Sequence, residues 1–249
     1  MAINKNGVNE QAVEQAIATA LEEFYSSLLA KIDTINIEDI MKRKNPYLYR
    51  AKAMQSAAEI VESVLSATIS SSEETIFGNC FFEPLAIAAS GGNKALAGGV
   101  DIMVEDKDEN IIYAIAVKSG PSVFNADSKK RQEQNFNAAR KLAQQAKARY
   151  EPIIGYSYGK KRPTGRGCPT IYRELAGQDF WAELTGEADF YLKIIKLMGT
   201  HPEKYLEQYR ESYNKASNRL IKQFTADFCE DDGSISWDKL VKFNSGYLD

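Results

Sequence analysis

The chain is poor in the residues that build most metal and disulfide chemistry. It has one histidine, His201, in 249 residues. A histidine-rich metal site is therefore excluded, and a Ser-His triad would have to use that one imidazole. His201 precedes Pro202 and reads as a capping or packing residue. The three cysteines, Cys80, Cys168 and Cys229, lie far apart with no CxxC pair. They read as reduced thiols, not as a zinc site or a disulfide framework. No apolar run approaches the roughly 18 residues of a membrane span. The opening MAINKNGVNEQ contains no apolar signal-peptide core. These absences give the expectation of a cytoplasmic protein with no membrane partner. The glycine-rich stretch ASGGNKALAGG matches neither GxxxxGKS/T nor GxGxxG, which excludes a nucleotide cradle. There is no internal repeat and no low-complexity linker.

What is present is ordinary in composition and uneven in charge. Hydrophobic content of 44% with 26% charged residues suits a folded domain. The net charge is only -3. Yet residues 127–173 hold twelve Lys and Arg against three Asp and Glu, a local balance of +9. The rest of the chain carries -12. Such asymmetry points to a basic surface facing a polyanion.

Hydrophobic spacing orders the elements. Val13, Ile17, Leu21, Phe24 and Leu28 predict a helix over about residues 9–32, capped by Asn9. Asn45-Pro46 interrupts the pattern, and a second helix follows over about 51–69. SSSEET predicts the start of a third helix carrying GNCFFEPLAIAA. The period then changes. VDIMVE and IIYAIAVK alternate as strands joined by DKDEN. A helix over about 127–150, a strand PIIGYSY, the loop GKKRPTGRGCP and a mainly helical remainder from about residue 170 complete the chain. The expectation is an α/β core with large helical additions over 8–70 and 170–249, in a single domain over 1–249.

Asp101 opens the first strand and Lys118 closes the second, with sixteen residues between them. In the second strand Ile112, Ala114, Ala116 and Lys118 share one face, since side chains alternate with period two. An acid and a lysine on adjacent strands resemble the PD-(D/E)xK nuclease superfamily, whose pattern D-x(10–20)-(E/D)-x-K they match except at Ala116. VKSGPSVFNADSKKRQEQNFNAAR, with KNPYLYRAK upstream and IYRELAGQDFWAELTG downstream, is similar to type II restriction endonucleases of the PmeII-like group.

The resemblance covers a core over about 73–158 and implies a restriction endonuclease-like fold, a mixed sheet flanked by helices, with Mg²⁺-dependent, sequence-specific cleavage of double-stranded DNA by a homodimer. A hard cation held by carboxylates activates water and neutralises phosphate charge, while a lysine stabilises the hydroxide and the phosphorane. Asp101 and Lys118 would form the catalytic centre, and the Val117 carbonyl would be a further metal ligand. The acid absent at Ala116 would be replaced by Glu83, in CFFEPLA, by Glu133, on the helix after Lys118, or by both. Glu73, Glu74 and Glu105 are more remote alternatives. Two other readings stay open: a DNA-binding module that does not cut, and an engineered Glu-to-Ala variant at position 116. Guanine edges are read by Arg and Lys, and adenine by Asn and Gln. The candidate DNA-binding residues are therefore Asn125, Lys129, Lys130, Arg131, Gln132 and Asn135, with Lys160, Lys161, Arg162 and Arg166 on the loop. Some of these would meet only phosphates. Tyr156, Tyr158, Trp181 and Trp237 read as core or interface residues.

Overall fold

The computed structural model describes residues 2–162 and 171–246. Its helices are α1 (Glu10–Thr34), α2 (Ile37–Met41), α3 (Pro46–Ala51), α4 (Ala57–Cys80), α5 (Phe82–Ser90), α6 (Ala126–Gln145), α7 (Gln178–Thr185), α8 (Phe190–Met198), α9 (Leu206–Phe228) and α10 (Trp237–Ser245). Contacts divide the chain into two compact units. One takes the residues up to Phe24 with Phe77–Pro202, and the other Tyr25–Ile76 with the residues from Glu203 on. Among the described residues, no helix is long and apolar enough to cross a membrane.

The first unit is built on a five-stranded sheet: β1 (Asn93–Lys94), β2 (Ile102–Asp106), β3 (Ile111–Lys118), β4 (Arg149–Tyr156) and β5 (Arg173–Ala176), in spatial order 1-2-3-4-5. The pairs β1–β2 and β2–β3 are antiparallel, while β3–β4 and β4–β5 are parallel. Helix α6 makes the crossover between β3 and β4. Both faces of the sheet are covered, which is why β3 is apolar almost throughout. On one face Ala114, Ala116, Ile154, Tyr156 and Ala176 pack with Phe136 and Ala139 of α6. The other face meets α5 and α7. There Gly155 is required, because a Cβ would lie 2.1 Å from a ring carbon of Phe180. Trp181, buried beside Phe180, donates its indole N–H to the Ser157 carbonyl at 2.8 Å.

Several elements differ from the sequence expectation. SSSEET does not start a helix; it lies inside α4, which runs unbroken from Ala57 to Cys80. The hydroxyls of Thr68, Ser72 and Thr75 bond back to carbonyls four residues earlier, at 2.7–3.0 Å, so these residues are accommodated mid-helix. The true start is a capping box. Glu59 accepts from the Gln55 and Ser56 N–H groups at 2.7 and 3.1 Å, and Ser56 Oγ accepts from Glu59 N–H at 3.3 Å. Helix α6 stops at Gln145, short of residue 150. Lys147 turns left-handed (φ 54°), and the Ala148 N–H closes on the Ala143 carbonyl at 3.2 Å, a Schellman-type end. Strands β1 and β5 had no sequence signal, having only two and four residues.

The second unit is helical. Asn36 caps α2 and Asn45 caps α3 through their side-chain oxygens. The Arg219 guanidinium donates to the carbonyls of Ile32, Asp33 and Ile35 at the end of α1. Asn244 donates to Met41 and Lys44, both at 2.9 Å.

Candidate active site

Asp101 stands one residue before β2. Its N–H donates to the Ile115 carbonyl at 2.9 Å, and its own carbonyl accepts from Ala95 at 3.0 Å. Its carboxylate is therefore held between two strands. Asp101 Oδ2 accepts the Val117 N–H at 2.6 Å and lies 3.4 Å from Lys118 Nζ. Lys118 Nζ also donates to the Val117 carbonyl at 3.0 Å. The acid, the lysine and the intervening carbonyl thus meet at one end of the β2–β3 pair. The approach to Asp101 is fixed by α6. Gly99 has φ 73°, and a Cβ there would lie 1.8 Å from Asn135 Nδ2. The buried Gln132 donates its amide to the Gly99 carbonyl at 2.6 Å. Gln132, expected at a DNA groove, is instead buried against this turn, while Asn135 lies beside Gly99 and stays half-buried.

The register Ile102↔Ile115, continued by one step, sets Asp101 opposite Ala116. Facing side chains on paired strands have Cβ atoms about 5 Å apart. An acid at 116 would therefore stand beside Asp101. Ala116 itself is fully buried in the α6-facing cluster. Of the two candidate replacements, Glu83 lies in the first turn of α5 and accepts from Lys94 Nζ at 2.9 Å. That hydrogen bond raises the Lys94 pKa, helped by attraction from Glu83 and from Asp101. Glu133 makes no hydrogen bond or ion pair with a described residue, and its charge bears on Tyr172. Among the described residues, no three His, Cys, Asp or Glu side chains gather to hold an ion. The donor chemistry still suits Mg²⁺. Asp101, Glu83 and the Val117 carbonyl offer hard oxygens, and that ion commonly takes one or two carboxylates with water.

The basic segment is only partly free. Asn125 caps α6 reciprocally with Ser128, accepting at 2.8 Å and donating at 2.9 Å. Lys129, Lys130 and Arg131 follow, all exposed, as are Lys160 and Arg162 after β4. Lys161 is tied to Glu174 at 2.8 Å, and Glu174 also accepts from the Tyr156 hydroxyl at 2.8 Å. Burial pushes the Glu174 carboxyl up, but the bonds from Lys161 and Tyr156 outweigh it and leave it below its ordinary value. Lys129 adds attraction, so the α6 start and the post-β4 loop share one region. Arg173 is buried and paired with Glu183 and Glu151. Arg166 lies outside the described residues. Sequence reasoning missed Lys94 and Glu174, since each sits on a strand too short to show a period.

Chemically, the arrangement offers a carboxylate and an ammonium at one strand end, on a unit whose basic helix start and loop can meet phosphates. No curated protein matches the chain. A family model for the type II restriction endonuclease EcoO109I matches residues 11–205. It supports the type II assignment and the restriction endonuclease-like α/β fold, and does not bear on the PmeII-like grouping. The match extends over most of the chain and contains Asp101, Lys118 and the whole sheet, so the chain belongs to the type II restriction endonuclease EcoO109I family, a family of DNA endonucleases.

Proposed function

We propose that the chain is a Mg²⁺-dependent, site-specific endonuclease of double-stranded DNA that acts as a homodimer. The observation that carries this reading is the Asp101–Val117–Lys118 cluster at the end of the β2–β3 pair. Asp101 and Glu83, with the Val117 carbonyl, would hold the ion, which supplies charge neutralisation at phosphorus and a more acidic bound water. Lys118 places an ammonium where hydroxide and phosphorane charge develop. Water oxygen bonds to phosphorus and the P–O3′ bond breaks. The water gives up a proton and O3′ gains one, leaving 5′-phosphate and 3′-hydroxyl ends. The Glu83–Lys94 hydrogen bond, with Lys94 also feeling the Asp101 charge, supports Glu83 over Glu133 as the second acid. Lys129, Lys130, Arg131, Lys160 and Arg162 are exposed and suited to phosphates or guanine edges. A two-fold dimer would match a palindromic site and cut both strands.

Asp101→Ala tests the reading. Mg²⁺-dependent cleavage should vanish while DNA binding in Ca²⁺ persists. Full cutting by the variant would remove the chemistry from this cluster. One observation favours a second reading, a DNA-binding protein that does not cut: Ala116 stands where the acid belongs, and among the described residues no three-carboxylate group replaces it. Cleavage of plasmid in Mg²⁺ separates the two.

A further inference from the structure

Lys94 is a cation that the chemistry above does not use. Its Nζ lies 2.9 Å from Glu83 Oε1. On β1 it pairs with Ile102, the residue after Asp101, and Ala95 beside it donates to the Asp101 carbonyl at 3.0 Å. Glu83 and Asp101 both bear on Lys94, and Asp101 also meets Lys118 at 3.4 Å, so two carboxylates stand against two ammonium groups. With alanine at 116 the set is neutral. A divalent ion is attracted by a surplus of carboxylate, which this set lacks while Lys94 stays in place.

We propose that Lys94 is a resident counter-cation that holds Glu83 until a divalent ion displaces it, and so sets the metal concentration at which the site loads. The proposal rests on the reading of Asp101 and Glu83 as metal ligands. Displacement is easy in physical terms. The Lys94 side chain is 75% exposed, and exposed ion pairs are weak, so its ammonium can swing into water at little cost. Lys94 is a positioning residue; it competes for a ligand and needs no contact with the reacting phosphate.

The test is Mn²⁺ binding to the full chain without DNA, followed by electron paramagnetic resonance. Lys94 is exposed, so Lys94→Met leaves the core intact. Lys94→Met should bind Mn²⁺ about tenfold tighter than the parent, from the loss of one competing pair and one repulsive charge. Lys94→Arg should stay near the parent. Lys94→Met combined with Glu83→Gln should lose the gain. Measurable but equal affinities in parent and Lys94→Met would overturn the role of Lys94 and leave the metal site standing. So would a gain that survives Glu83→Gln. No Mn²⁺ binding in any of the proteins would overturn the metal reading and this proposal together.

Discussion

Residue chemistry turns on Ala116. Its position opposite Asp101 makes it the natural seat of a second acid, and its complete burial against Phe136 and Ile154 makes it a poor one. If Glu83 has taken over the ligand role, the parent cuts DNA, and Ala116→Glu gains little. The added side chain must enter a packed cluster, at about 1–3 kcal/mol of stability. A melting curve and a cleavage rate on the same variant check this. Cutting that appears only with Ala116→Glu, and is indifferent to Glu83→Gln in that background, would contradict it. Asp101 and Lys118 stand out in the sequence through the resemblance to the D-x(10–20)-(E/D)-x-K pattern, and the structure sets them 3.4 Å apart. Gln132 reads as a groove reader in the sequence because it is an amide on a basic helix. Yet Gln132, Phe136, Ala139 and Ala143 share one helical face, and all are buried. That spacing was the available signal that Gln132 points inward.

At the scale of elements, β5 does what no sequence pattern announced. It brings Glu174 under the basic loop and fastens Lys161 to the sheet beside Tyr156. RELA is four residues, too short to show a strand period, and only Gly177 separates it from the helical QDFWAELT. The Glu174 carboxyl is held below its ordinary value of 4.5 by the bonds from Lys161 and Tyr156, against the upward push of burial. A lowered folded pKa stabilises the fold above the unfolded value, and that contribution is lost as pH falls through the folded one. Glu174→Gln should therefore cost about 1–3 kcal/mol near pH 7, through the unpaired partners left behind. It should also flatten the loss of stability below about pH 4.5. Thermal melts of both proteins across that range decide it; parallel pH profiles would show that Glu174 carries no such linkage. β3 and β4, long and apolar, were legible from their composition. The end of α6 was not, because Lys147 supplies a left-handed turn that glycine usually marks.

For the whole molecule, the charge asymmetry was visible in the sequence, but its effective strength was not. Of the basic residues in 127–173, Arg173 is internal and Lys161 is engaged by Glu174. The exposed set begins with Lys129, Lys130 and Arg131 on α6. DNA affinity should fall linearly on a log-log salt plot, with a slope of about -0.9 per phosphate contacted. Lys130→Ala should reduce that slope by roughly one if its ammonium meets a phosphate. An unchanged slope in Lys129→Ala, Lys130→Ala and Arg131→Ala would move the DNA to another surface. The central claim is that this chain cuts DNA at defined sites with the Asp101–Lys118 cluster. Its most direct test is a digest of unmethylated phage DNA by the purified protein in Mg²⁺, with the fragment ends sequenced. The account predicts discrete fragments sharing one terminal sequence, each with a 5′-phosphate. Intact DNA under conditions where the same preparation binds DNA tightly in Ca²⁺ would contradict it.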